Sequence, residues 1–168
     1  MDTIPQQRVR INLGSGLTHF PGRSWINCDR HGDPDVRCDA YPLPFDTDFA
    51  DEIWAVHLLE HLHRAEAGRA LYEWFRVLKP GGLLAIEVPC LNKIAQLIVN
   101  GEKNIRLTTM GLFGDPRDPK PDMLHKWCWS VEELTDTLVG VNFTDIRNLE
   151  PIFHLPARDM RIECRKPS

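Results

Sequence analysis

At 168 residues, 42% apolar and 26% charged, the chain has the size and balance of one soluble globular domain and leaves nothing over for a second. A formal net charge of -4 gives no general basic field for nucleic acid, and no apolar run approaches the ~20 residues of a membrane span, so a small-molecule partner is favoured. Five widely spaced cysteines without a Cys-x-x-Cys pair indicate neither a disulfide framework nor a zinc knuckle.

The amino-terminal residues Asp2, Gln6, Gln7 and Arg8 carry no apolar leader, and the expected compartment is the cytoplasm. The first element is an apolar run, Val9-Arg10-Ile11-Asn12-Leu13, which ends in Gly14-Ser15-Gly16. Glycine there removes Cβ atoms and permits φ > 0, so the chain can turn at a strand's carboxyl end with its N–H groups facing a ligand. A second short strand, Trp25-Ile26-Asn27-Cys28, closes on Asp29, whose carboxylate could accept from both hydroxyls of a ribose. A strand, a glycine turn and an acidic strand end outline a nucleotide-type cofactor site. A dinucleotide fits less well: His19 stands at the third small-residue position, and Asp29 comes sooner than the acidic residue of that fingerprint. The ten residues from Gly14 to Arg23 leave room for a turn or two of helix at most.

Asp35-Val36-Arg37-Cys38-Asp39 reads as a short third strand with another acidic end, where Asp39 could take an adenine amine. Proline makes Tyr41-Pro42-Leu43-Pro44-Phe45 a loop before a fourth strand, Asp51 to Val56, with His57 at its carboxyl end. A helix through Arg76 follows, its stripe formed by Leu71, Trp74, Phe75 and Leu78, and Lys79-Pro80-Gly81-Gly82 stops it. Leu83-Leu84-Ala85-Ile86-Glu87-Val88 reads as a buried parallel strand, and Leu91 to Val99 as a helix. An irregular stretch at about 100–129, rich in Gly, Pro and Asp, reads as a surface insertion. Ser130-Val131-Glu132-Glu133 is a capping box for a helix to about Val139, which Asn142 ends in the left-handed conformation. Met160, Ile162 and Cys164 alternate with charged residues, the pattern of an antiparallel strand near a sheet edge.

Strands alternating with helices predict a Rossmann-like, doubly wound α/β fold: a mostly parallel sheet with an antiparallel C-terminal strand, in a three-layer sandwich over residues 1–168. With the glycine turn and its acidic strand ends, the chain resembles the class I S-adenosylmethionine-dependent methyltransferases, in particular small, type 11-like members. The resemblance rests on Ile11-Asn12-Leu13-Gly14-Ser15-Gly16, His57-Leu58-Leu59-Glu60-His61-Leu62 and Arg76-Val77-Leu78-Lys79-Pro80-Gly81-Gly82, with the closing helix and strand pair. It implies that S-adenosyl-L-methionine is the cofactor. Gly14, Ser15 and Gly16 would lie beside its methionine part and Asp29 would bind the ribose. Asp39 and Ala40 would flank the adenine, and His57 with Leu58 would wall the sulfonium. The chain departs from the family in lacking amino-terminal lid helices and most of the first crossover helix, and in having Thr18 where a third glycine is common.

The expected reaction is in-line methyl transfer to an unidentified small-molecule acceptor, with His57 and His125 as candidate catalytic bases. The acceptor pocket is expected under the insertion, from Asn100 to Trp129, where Trp127 and Trp129 flank the histidine segment. The alternative is a non-catalytic cofactor-binding or interaction module with the same fold. His57-Leu58-Leu59-Glu60-His61 also matches the inverted zinc-protease pattern. That run straddles a strand end and a helix start, and no third ligand is identifiable from sequence, so no metal is expected.

Overall fold

The computed structural model describes residues 8–16, 18–118 and 120–168; the polar stretch before Arg8 lies outside them. Seven strands form one sheet: β1 (Arg10–Leu13), β2 (Trp25–Asp29), β3 (Val36–Arg37), β4 (Ala50–Val56), β5 (Leu78–Pro89), β6 (Thr144–Leu149) and β7 (Asp159–Arg165). Their order is β3-β2-β1-β4-β5-β7-β6. The first five are parallel, and β7 runs antiparallel to both its neighbours. The expected alternating strand is therefore one place in from the edge, where β6 covers it. The order reverses at β1, so the carboxyl ends of β1, β2 and β4 open a crevice, the usual ligand position in such sheets.

The principal helices are α1 (Arg64–Val77), α2 (Leu91–Val99), α3 (Thr109–Phe113) and α4 (Val131–Gly140). Leu71 and Trp74 of the predicted stripe are fully buried on α1, whereas Leu78 already belongs to β5. Gly81 and Gly82 bulge β5 rather than merely stopping the helix: the pairing with β4 slips between Ala50 and Glu52, and a Cβ on Gly82 would lie 2.8 Å from the Lys79 carbonyl. Ser130 Oγ accepts from the Glu133 N–H at 3.1 Å to open α4, and Asn142 follows it at φ 76°.

The sheet's two faces are built differently. Ile11, Leu13, Ile53, Ile86 and Ile162 point to one face and pack with Leu71, Trp74, Leu134 and Leu138 of α1 and α4 in a single core. Arg64 and Glu133 tie those two helices together at 2.7 Å. Asn12, Asn27 and Trp54 share a row on the opposite face. Among the described residues no helix joins β1 to β2. The ring of Phe20 instead stacks on Phe153 at 4.8 Å and meets Trp25 edge-on at 4.7 Å, so loop aromatics cover this part of the sheet. The buried Glu87 carboxylate holds the second loop by accepting from the N–H groups of Ile152 and Phe153. Among the described residues no helix is long and apolar enough to cross a membrane.

Candidate active site

A cavity of about 750 Å³ lies at the carboxyl ends of β1, β2 and β4. Its first wall is the glycine turn. Gly14 has φ +66°, and a Cβ there would sit 3.0 Å from Leu58, so both backbone and packing require glycine. Gly16 donates its N–H to Asp29 Oδ2 at 2.8 Å, and the His31 N–H reaches Oδ1 at 2.7 Å. Asp29 thus braces the turn, and each of its oxygens keeps a further lone pair for a ligand hydroxyl. Asp39 pairs with Arg30 at 2.9 Å, while the Ala40 carbonyl accepts from the buried Trp74 indole.

The second wall is made of histidines and buried carboxylates. His57 leaves β4 at φ 52°. Its Nδ1 lies 2.8 Å from Glu60 Oε1, its Nε2 lies 3.5 Å from Asp159 Oδ2, and its ring rests 3.9 Å from that of His154. Burial opposes a charge on His57, but the Glu60 and Asp159 carboxylates outweigh it and raise its pKa to about 9. Each ring nitrogen faces a carboxylate, which favours the protonated ring, a form with no lone pair for an acceptor's proton. Asp159 is likewise subject to burial, yet contact with His57 and Arg158 holds it at about 2. Glu60 is fully buried and also held below the usual carboxylate range, since His57 offsets its desolvation.

The irregular segment closes the cavity from above. Lys126 and Trp127 donate their backbone N–H groups to the Glu60 carbonyl at 2.8 and 3.2 Å. Across the opening, Asp122 lies 3.2 Å from His31 and 3.6 Å from Arg30. Asp118, Lys120, Asp122 and Met123 line the cavity.

Of the residues expected at the cofactor, Gly14, Gly16, Asp29, Asp39, Ala40, His57 and Leu58 line this cavity together. Ser15 does not: it is buried beneath the turn, its N–H donating to the Cys28 carbonyl. His125 stands behind His61, with ring centroids 5.0 Å apart, and burial lowers its pKa. Trp129 is fully buried, which makes it a packing residue, whereas Trp127 is exposed and donates to Glu133. Sequence reasoning missed Arg30, Tyr41, His61 and Asp122, because only the loop paths bring them to the cavity. The zinc-protease pattern does not form: Leu59–His61 is a single 3-10 turn, so His57 and His61 do not share a helical face. A third group nevertheless joins that run, since ligand atoms of Glu60, His61 and His125 lie within 4.8 Å of one another.

Comparison with known proteins adds to this geometry. Residues 24–86 match the sequence model of the methyltransferase domain, a span that runs from the start of β2 into β5 and leaves the glycine turn outside. A methyltransferase from Archaeoglobus fulgidus, described as S-adenosylmethionine-dependent, superposes with a TM-score of 0.67 at 18% identity, over 95% of this chain and 86% of that one. A possible histamine N-methyltransferase from Thermotoga maritima gives 0.64 at 18% identity, over 97% and 84%. The 1,6-didemethyltoxoflavin-N1-methyltransferase of Burkholderia thailandensis, solved with bound 1,6-didemethyltoxoflavin and S-adenosylhomocysteine, gives 0.60 at 17% identity, over 95% and 71%. The superpositions show the fold of class I methyltransferases, and residues 24–86 are similar to the methyltransferase domain.

Proposed function

We propose that this chain binds S-adenosylmethionine in the cavity and transfers its methyl group to a small-molecule acceptor. The observation that carries the reading is the convergence of the glycine turn, Asp29, Ala40 and Leu58 on one cavity at the point where strand order reverses. The fit is physical: bare backbone at Gly14 and Gly16 admits a ligand to within contact of the turn, and Asp29 offers paired acceptors to a diol. Bound there, the cofactor supplies a methyl on a sulfonium, already a good leaving group, so catalysis consists largely of positioning. Leu58 and His57 would wall the reacting end, with Glu60 and Asp159 fixing the imidazole of His57.

A cavity of about 750 Å³ beneath the irregular segment is in the range of small-molecule sites, which supports a small acceptor over a macromolecule. The five cysteines are free thiols, in keeping with a reducing, cytoplasmic setting. Of the two expected bases, His57 faces a carboxylate from each nitrogen, and His125 stands behind His61.

The test is calorimetry with S-adenosylhomocysteine, followed by a labelled-methyl screen over small alcohols, thiols and amines. Binding by the parent and its loss in Gly14→Val would support the reading, since that side chain would strike Leu58. A folded parent that binds neither cofactor nor product would end it. Binding without transfer to any acceptor would favour the non-catalytic module.

A further inference from the structure

Beside the cofactor cavity, Glu60, His61 and His125 bring one ligand atom each to within 4.8 Å of one another. Glu60 is fully buried, and neither of its carboxylate oxygens has a hydrogen-bond partner among the described residues. His57 Nδ1 makes an ion-pair contact with one of them, without hydrogen-bond geometry. His57 supplies a counter-charge, yet oxygens that no donor meets keep lone pairs that a further cation can take.

The two imidazoles are oriented for that task. His61 Nδ1–H donates to the Leu124 carbonyl at 3.2 Å, and His125 Nδ1–H donates to the Gly111 carbonyl at 3.0 Å. A carbonyl can only accept, so each neutral ring carries its proton on Nδ1 and its lone pair on Nε2. A backbone carbonyl behind each imidazole is the usual support of a metal-binding histidine. The loop is pinned as well: Lys126 and Trp127 donate to the carbonyl of Glu60 itself, and the His125 N–H donates to Phe113, so ligands 64 positions apart in sequence share one backbone junction.

We infer that Glu60, His61 and His125 form a binding site for a divalent cation of the zinc class, with an open position toward the methyl-transfer cavity. Two imidazoles and a carboxylate suit zinc, and three protein ligands with one vacant place is the arrangement of catalytic rather than structural sites. His61 lines the cavity, which puts the site within reach of a molecule bound there. The role, which rests on the methyl-transfer reading, is to bind the acceptor's oxygen or sulfur and lower the pKa of its O–H or S–H. That proton leaves to water. The freed lone pair forms the new bond to the methyl carbon as the carbon–sulfur bond breaks, its electrons staying on sulfur to give S-adenosylhomocysteine. The cation keeps its oxidation state throughout.

The experiment titrates chelator-stripped protein with zinc(II) by competition, and with cobalt(II) by visible absorption. The parent is expected to take one equivalent and give a four-coordinate cobalt spectrum. His61→Ala and His125→Ala should each weaken zinc binding by more than the ~10–100-fold that loss of a supporting group costs. His125→Cys should retain cobalt and add a thiolate charge-transfer band, a signature that a packing role cannot produce. A far-ultraviolet circular-dichroism spectrum and an unfolding midpoint close to the parent's show that each variant is folded. Should an alanine variant fail that check, His125→Cys and Glu60→Gln decide in its place. A parent that takes no stoichiometric metal, or variants that keep it unchanged, overturns the site. Loss of product binding with metal retained would instead refute the methyl-transfer reading alone.

Discussion

The glycine-turn wall and the histidine wall face each other across one cavity but are held by opposite means. The first stands on backbone: positive φ at Gly14 and Gly16, and N–H groups donating to Asp29, a side chain still open to solvent. The second stands on buried charge: Glu60 and Asp159 lie inside the protein, with His57 between them. A wall made of backbone can be altered without unfolding the protein, and its side chains remain free for a ligand. A wall made of buried ion pairs contributes to stability and binding together, because removing either partner leaves an uncompensated charge.

The largest effect expected from this contrast is on stability. Asp159→Ala removes the carboxylate that accepts from Arg158 and the Leu155 N–H and faces His57, and should cost about 3–5 kcal/mol in denaturant unfolding. Cofactor affinity, measured where the variant is folded, should change by only a few fold. A loss under about 1 kcal/mol would show that the second wall is not the stabilising one. The same group sets an acid limit. With its pKa held at about 2 by His57 and Arg158, against an ordinary value of ~3.9, Asp159 contributes stability that is fully present above ~3.9. That contribution drains away as pH falls toward 2. His154, the other titratable group beside it, is kept neutral more readily by burial and by His57. The stability gap between parent and Asp159→Asn should therefore be smaller at pH 3 than at pH 5, and equal gaps at both would refute the assignment.

Next in size is cofactor affinity. Asp29→Ala should weaken S-adenosylhomocysteine by about 1.5–3 kcal/mol, roughly 10–150-fold, through loss of charge-assisted hydrogen bonds and of the brace on Gly16. Its unfolding midpoint should move little. Asp29→Asn, which keeps one acceptor oxygen, should fall between. Unchanged affinity would remove Asp29 from the site.

The contrast also explains how much could be read from sequence. The mostly parallel sheet, the antiparallel β7 and the glycine turn were legible because backbone geometry demands particular residue types at short spacing: glycine where φ is positive, alternation where one face is buried. The helix Leu91–Val99 and the Ser130 cap were legible for the same local reason. The histidine wall was not. His57, Glu60, His125, His154 and Asp159 meet only because β7 lies beside β5 and the irregular segment folds back to the Glu60 carbonyl. Lone histidines carry no local pattern that announces such a meeting. His57 read as a free base because its sequence neighbours do not include Asp159, the carboxylate that faces its second nitrogen at 3.5 Å. Ser15 was placed at the ligand from its motif, although the turn that exposes Gly14 and Gly16 points Ser15 inward.

The smallest effect should come from the strap between the walls. The irregular segment is anchored on the histidine side by backbone hydrogen bonds from Lys126 and Trp127 and by the contact between His61 and Leu124. On the glycine side it is held through Asp122, whose partners Arg30 and His31 are all exposed to solvent. Exposed ion pairs are screened by salt and hold little energy, so Asp122→Ala should change S-adenosylhomocysteine affinity by about threefold or less. Rates should respond more than equilibrium does, because loosening one end of the strap opens the cavity without altering the contacts inside it. Stopped-flow measurement should show faster release from Asp122→Ala at low salt, and added salt should bring the parent to the same rate. A loss of affinity beyond tenfold would mean that Asp122 touches the ligand and belongs to the glycine wall.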